Sequence, residues 1–110
     1  VNVPWSDVAE PDHEVNLGPH ERLDDLVLDG MKVIQRDDQF CFSLDTVLLA
    51  HFGAVPRGKV LDLGTGTAAI PLILSARGAV SVTGAELNPV MADIARRNVR
   101  SMAVDRSLRL

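Results

Sequence analysis

The stretch Val60-Leu61-Asp62-Leu63-Gly64-Thr65-Gly66-Thr67-Ala68-Ala69 constrains this chain most: an apolar run stops at two glycines one residue apart, and a helical pattern follows at once. It reads as strand, tight loop, helix. Glycine at 64 and 66 admits positive φ and removes the Cβ atoms that would hold a ligand off the main chain. About twenty residues further on, a second β-rich run, Val80-Ser81-Val82-Thr83-Gly84-Ala85, ends in Glu86, where a carboxylate can accept both ribose hydroxyls of a nucleoside. Two nucleoside cofactors fit this spacing.

Asp62 separates them. It stands two positions before the first glycine, at the carboxyl end of the strand and so beside the ligand crevice of an open α/β sheet. Against a pyrophosphate about 6 Å away, at an effective dielectric near 20, its charge repels by roughly 3 kcal/mol, which removes about two orders of magnitude of dinucleotide affinity. S-adenosylmethionine has the opposite character: a cationic ammonium and sulfonium, a ribose for Glu86, and no phosphate. A plain βαβ turn with a solvated Asp62 is the blander alternative.

Length permits one domain or part of one, with enough chain for an aliphatic core. Aromatic residues are scarce, which argues against a stacking surface for bases. The net charge of −4 is unevenly spread, since eight acidic residues precede Gly30 and five basic ones follow Ala95. Cys41 is the single cysteine, so no internal disulfide framework exists and a reducing, cytoplasmic setting is expected. His13, His20 and His51 lack metal-ligand spacing, and no zinc site is expected. No apolar stretch reaches the length of a membrane span, and no basic-apolar leader opens the chain.

Three regions follow in order. Residues 1–20 carry Pro4, Pro11, Gly18 and Pro19 among acids without sustained periodicity, and read as an irregular arm on which Trp5 is a mobile or docking indole. Residues 21–58 form an N-terminal unit. There Leu23, Leu26 and Val27 predict a short helix over 21–28, closed by Asp29-Gly30. A β-hairpin is predicted from Met31–Gln35 and Gln39–Phe42, with its tip at Arg36-Asp37-Asp38, covering one end of the sheet. Ser43 then caps a helix whose inward face is Leu44, Val47, Leu48 and Phe52, before Gly53 and Pro56 end it. Asp45 in its first turn complements the helix dipole.

Residues 59–110 supply a βαβα unit. Its first strand covers Lys59–Leu63, its first helix Ala68–Arg77 with Pro71 tolerated in the opening turn, and its second strand Val80–Ala85. Asn88-Pro89 gives an N-cap and a first-turn proline to a helix reaching about Arg100, with Met91, Ile94 and Ala95 inward. Arg96, Arg97 and Arg100, followed by Arg106 and Arg109, either complement the helix terminus or track phosphates. Leu108–Leu110 would begin a third strand. Alternating strands and helices imply an α/β fold with a parallel sheet and right-handed crossovers.

With these residues in place, the chain resembles the S-adenosylmethionine-dependent methyltransferases of the seven-stranded Rossmann-like class: Asp62-Leu63-Gly64-Thr65-Gly66 matches their first motif and Glu86 their second. The segments Glu21-Arg22-Leu23-Asp24-Asp25, Phe42-Ser43-Leu44-Asp45 and Glu86-Leu87-Asn88-Pro89 narrow the likeness to bacterial enzymes that methylate the exocyclic amine of adenine in valine tRNA. The resemblance implies an incomplete Rossmann-like fold, a parallel sheet with helices on both faces, preceded by the hairpin. It implies that Asp62, Gly64 and Gly66 hold the methionine moiety, Glu86 the ribose and Leu87 the adenine edge, with Thr65 in the same cofactor loop and Phe42, Ser43 and Asp45 contributing from upstream. It also implies a tRNA substrate, with ribosomal RNA and protein glutamine left open as other methyl acceptors.

The family's catalytic Asn-Pro-Pro-aromatic run has no counterpart here, and Asn88-Pro89 follows the wrong strand and lacks the second proline and the aromatic. That motif is expected beyond Leu110, so no catalytic residue is assigned and the chain alone is expected to be inactive. An exposed sheet edge is expected to invite a homodimer. Two other functions stay open. A NAD(P)-dependent oxidoreductase fragment also satisfies Gly64-x-Gly66-x-x-Ala69 with Glu86, and a non-catalytic nucleoside-binding or interaction module can keep the fold without the reaction.

Overall fold

The computed structural model describes residues 16–26 and 31–102. In chain order the elements are β1 (Glu21–Asp25), β2 (Lys32–Arg36), α1 (Leu44–Ala50), β3 (Lys59–Leu63), α2 (Ala69–Ala76), β4 (Ser81–Ala85) and α3 (Pro89–Met102). β3 and β4 pair in parallel, with Lys59 opposite Ser81 and Leu63 opposite Ala85. The fold is α/β: a parallel pair with helices, preceded by an antiparallel hairpin, as a partial Rossmann-like unit requires.

Side-chain alternation explains which face of the parallel pair is covered. Val60 and Val82 pack with Leu74 of α2 and with Ala79. On the other side of β3, Leu61 and Leu63 are 59% and 76% exposed. The second face of α2 meets the N-terminal unit, where Leu72 and Ile73 join Leu26, Met31, Val33 and Ala50 in the largest apolar cluster. Helix α2 is therefore the central layer. α3 seats Met91 and Ile94 against Ile34 of β2.

The N-terminal unit differs from the sequence expectation in two ways. Residues 21–25 form a strand, not the start of a helix, and they pair antiparallel with β2 in the register Leu23 to Ile34. Residues 39–42 are not a strand, so the hairpin is β1–β2, although the chain does reverse at the predicted Arg36–Asp38 tip, where Gln39 N–H donates to Arg36 O. Long-range polar pairing decides this. Gln35 donates to Asp24 across the ladder while its Oε1 accepts from Phe42 N–H at 2.7 Å, so its buried amide occupies the place the predicted second strand would have taken. Glu21 is held by Arg97 of α3 through two 2.7 Å bonds. Three apolar residues at helical spacing cannot outweigh those contacts. Residues 27–30, the predicted helix end, lie outside the described residues.

Ser43 does stand at the N-cap of α1, in extended conformation, and its N–H donates to Thr46 Oγ1 at 3.4 Å. The buried stripe differs from the one expected: Ala50 is buried and Val47 packs on the main cluster. Leu44, Leu48 and Phe52 face outward, at 70%, 59% and 82% exposure. Arg77 fixes the far end of α1, donating to Ala50 O and Gly53 O at 2.8 Å each.

The described part of the predicted arm has no regular structure but is tied down. Gly18 N–H donates to Glu21 Oε1, Arg97 donates to Asn16 O, and His20 lies 3.2 Å from Asp37. Trp5, Arg106, Arg109 and the predicted third strand at Leu108–Leu110 lie outside the described residues. Among the described residues no helix is long and apolar enough to cross a membrane.

Candidate functional site

β3 ends in a loop that its glycines make possible. Gly64 and Gly66 have φ of +69° and +60°, and a Cβ on Gly64 would meet nothing, so backbone conformation rather than space demands glycine there. The loop is stitched to the end of β4, because Gly64 N–H and Thr65 N–H both donate to Ala85 O, at 2.8 and 3.0 Å. Gly84 serves space instead: a Cβ on it would stand 2.7 Å from Thr65 Cγ2 and Oγ1. The absent methyl is what lets the loop lie down on the sheet.

Glu86 completes the cradle. Its Oε1 accepts from Gly66 N–H at 2.8 Å and its Oε2 from Asn88 N–H at 3.0 Å. Each carboxylate oxygen keeps a lone pair for a further donor. The side chain is thus pre-oriented and still able to accept hydroxyls. Next door, Asn88 Oδ1 accepts from Val90 N–H at 3.0 Å, capping α3 as the Asn-Pro pair predicts.

Asp62 and the loop form one wall of a cleft, with Phe40, Phe42 and Thr46 opposite. Asp62 Oδ2 and Thr65 Oγ1 are buried and have no protein hydrogen-bond partner. Burial pushes the Asp62 carboxyl above its ordinary value. An orphaned carboxylate oxygen costs free energy that a cationic donor in the cleft would recover.

The structure brings Phe42, Asp62, Gly64, Thr65 and Gly66 together around this cleft. Glu86 and Leu87 line the adjoining hollow with Leu63, Gly64 and Ala85, and Leu87 is 98% exposed. Ser43 and Asp45 do not line either recess. Ser43 serves α1 as its cap and Asp45 is exposed in the first turn, while Thr46 reaches the cleft in their stead. Phe40 and Thr46 were not legible beforehand: the expected hairpin placed Phe40 in a strand, and Thr46 carries no motif.

No family model matches the chain. Over 52 residues it is 46% identical to the release factor glutamine methyltransferase of Vibrio cholerae serotype O1. That relative is, by name, a methyltransferase. That match covers 46% of this chain, which spans only 18% of the relative's length. The narrower likeness to enzymes acting on adenine in tRNA receives no support from it, because the relative is by name a glutamine methyltransferase.

Of the five arginines expected to track phosphates or serve a helix end, Arg97 is committed elsewhere. Its guanidinium pairs with both Glu21 oxygens and lies 3.7 Å from Asp93, which leaves it a structural clamp rather than a free cation.

Proposed function

We propose that this chain carries the S-adenosylmethionine-binding portion of a methyltransferase. The unpartnered Asp62 Oδ2, at the mouth of a loop with two left-handed glycines, carries that reading. A dinucleotide would bring phosphate toward this carboxylate, whereas S-adenosylmethionine brings an ammonium. In this reading Asp62 accepts from the ammonium, and the Gly64–Gly66 backbone admits the ligand at close range. Glu86 accepts the ribose hydroxyls on its free lone pairs, and Phe42 lines the apolar side of the cleft.

When bound, this cofactor supplies an electrophilic methyl group on sulfur, and transfer by in-line displacement is aided chiefly by orientation. For the acceptor we infer a planar NH2 group. The side-chain amide of glutamine, named in the relative, and the exocyclic amine of adenine, implied by the upstream segments, share that chemistry.

Calorimetry separates the readings. S-adenosylmethionine should bind and NAD should not, and a measurable NAD affinity with no response to S-adenosylmethionine would return the chain to the oxidoreductase class. Binding of neither would leave a nucleoside-free interaction module. For the acceptor, a labelled-methyl assay in an extract that contains the protein at its natural level, against an extract of cells from which its gene is deleted, should show a mark lost from either a glutamine-bearing protein or tRNA, and loss from neither would end the planar-amine assignment.

A further inference from the structure

Asn98, in the middle of α3, has a fully buried side chain that touches two distant segments at once. Its Oδ1 accepts from Ile34 N–H at 2.6 Å, and its Nδ2 donates to Ile34 O at 3.0 Å and to Thr67 O at 2.9 Å. Toward β2 the carboxamide behaves as a neighbouring strand would, offering one acceptor and one donor to a single residue. Toward the loop it holds the carbonyl of Thr67, the residue before the Ala68 N-cap of α2. That carbonyl belongs to the peptide leading into Ala68, whose φ of 70° is a left-handed conformation that a residue with a side chain adopts only at some cost. Both Nδ2 hydrogens and the Oδ1 acceptor of Asn98 are engaged, in a site sealed from water.

We infer that Asn98 is a positioning residue for the ligand loop, coupling the N-terminal hairpin to the peptide that closes the Gly64–Thr67 turn. This rests on the reading of that loop as a cofactor cradle. Asn98 does not line the cleft, so its influence is exerted through Thr67, which does. The carboxamide fixes the orientation of the Thr67–Ala68 peptide, and Gly66 N–H, one residue earlier, is thereby kept aimed at Glu86. Without it, Ala68 would relax toward a right-handed conformation and draw the loop away from Glu86. The hairpin is the other end of the lever, so a disturbance at Ile34 reaches the loop through one side chain.

The test uses Asn98→Asp, which keeps the shape and the acceptor but sets a carboxylate against two carbonyls. Leu74→Ala, in the separate cluster with Ala79 and Val82, serves as a control of comparable destabilisation. Well below both melting temperatures, N98D should bind S-adenosylmethionine about tenfold more weakly, and L74A should bind like the parent chain. In amide spectra of the unliganded protein, N98D should shift Gly66 and Ala68 and speed their hydrogen exchange, whereas L74A should leave both unmoved. Unchanged Gly66 and Ala68 amides in N98D, with only Ile34 affected, would overturn the coupling whatever the ligand. Absence of S-adenosylmethionine binding by the parent chain would instead defeat the functional reading, with the spectra still deciding the role of Asn98. Should N98D fail to fold, Asn98→Ser, which loses the reach to Thr67 but can hydrate, is read in the same way.

Discussion

Asp62 is a residue whose burial opposes stability and whose carboxylate, in the proposed function, serves binding. Its carboxyl is held above the ordinary value by burial, so the unfolded chain releases this proton first as pH rises. The folded state consequently loses ground from about pH 4 upward, until its own carboxyl has ionised, and the penalty is constant thereafter. Asp62→Asn removes the penalty, and the ligand-free variant should melt a few degrees higher than the parent at neutral pH in a thermal scan. The same change deletes a charge-assisted acceptor, and calorimetry should show S-adenosylmethionine affinity down by about tenfold to a hundredfold. Gains in stability with loss of binding mark a site strained for function. Gly84 makes the opposite case. A methyl placed 2.7 Å from Thr65 overpacks the contact between loop and sheet, so Gly84→Ala should cost about 1–3 kcal/mol in urea unfolding and weaken ligand binding too.

Among the elements, those punctuated by local chemistry were legible in the sequence and those fixed by distant partners were not. β3, α2, β4 and α3 are bounded by glycines, a first-turn proline and an Asn-Pro cap, and their ends fall within a residue or two of expectation. The same holds for the site: Asp62, the glycine loop and Glu86 sit at offsets along one strand-loop-helix-strand path. Phe40 and Thr46 are brought to it by the course of the chain, and Asn98 bears on it only through Thr67, juxtapositions of segments far apart in sequence that no local pattern encodes. β1 was misread as a helix because its ladder depends on Asp24 with Gln35 and on Glu21 with Arg97. That last pair gives a measurable consequence. Arg97 holds the Glu21 carboxyl down at about 2, from an ordinary 4.5, so its contribution is complete above the ordinary value and is lost as pH falls through the folded one. Glu21→Gln should lower unfolding free energy by about 1–3 kcal/mol at pH 6. The gap between parent and variant in urea midpoint should then close as pH is lowered toward 2.

At the scale of the whole molecule, the uncovered side of the β3–β4 pair sets the solution behaviour. Leu61 and Leu63 project from the same face of β3 by strand alternation, more than half exposed, and among the described residues each strand of the pair has only one neighbour. An apolar sheet face beside an unpaired edge is a surface that proteins ordinarily cover or charge. A second copy of the chain offers both a ladder and an apolar face, so we propose self-association through this side. Sedimentation velocity should show a weight-average mass that climbs with concentration and is insensitive to salt, as burial of aliphatic surface requires. Leu61→Lys places a charge in the centre of that face without touching the Val60 side that packs on α2; it should abolish the climb while leaving the melting temperature within a degree or two. A chain that stays monomeric at every concentration, or a lysine variant that associates as the parent does, would show that this face has no attraction for another copy.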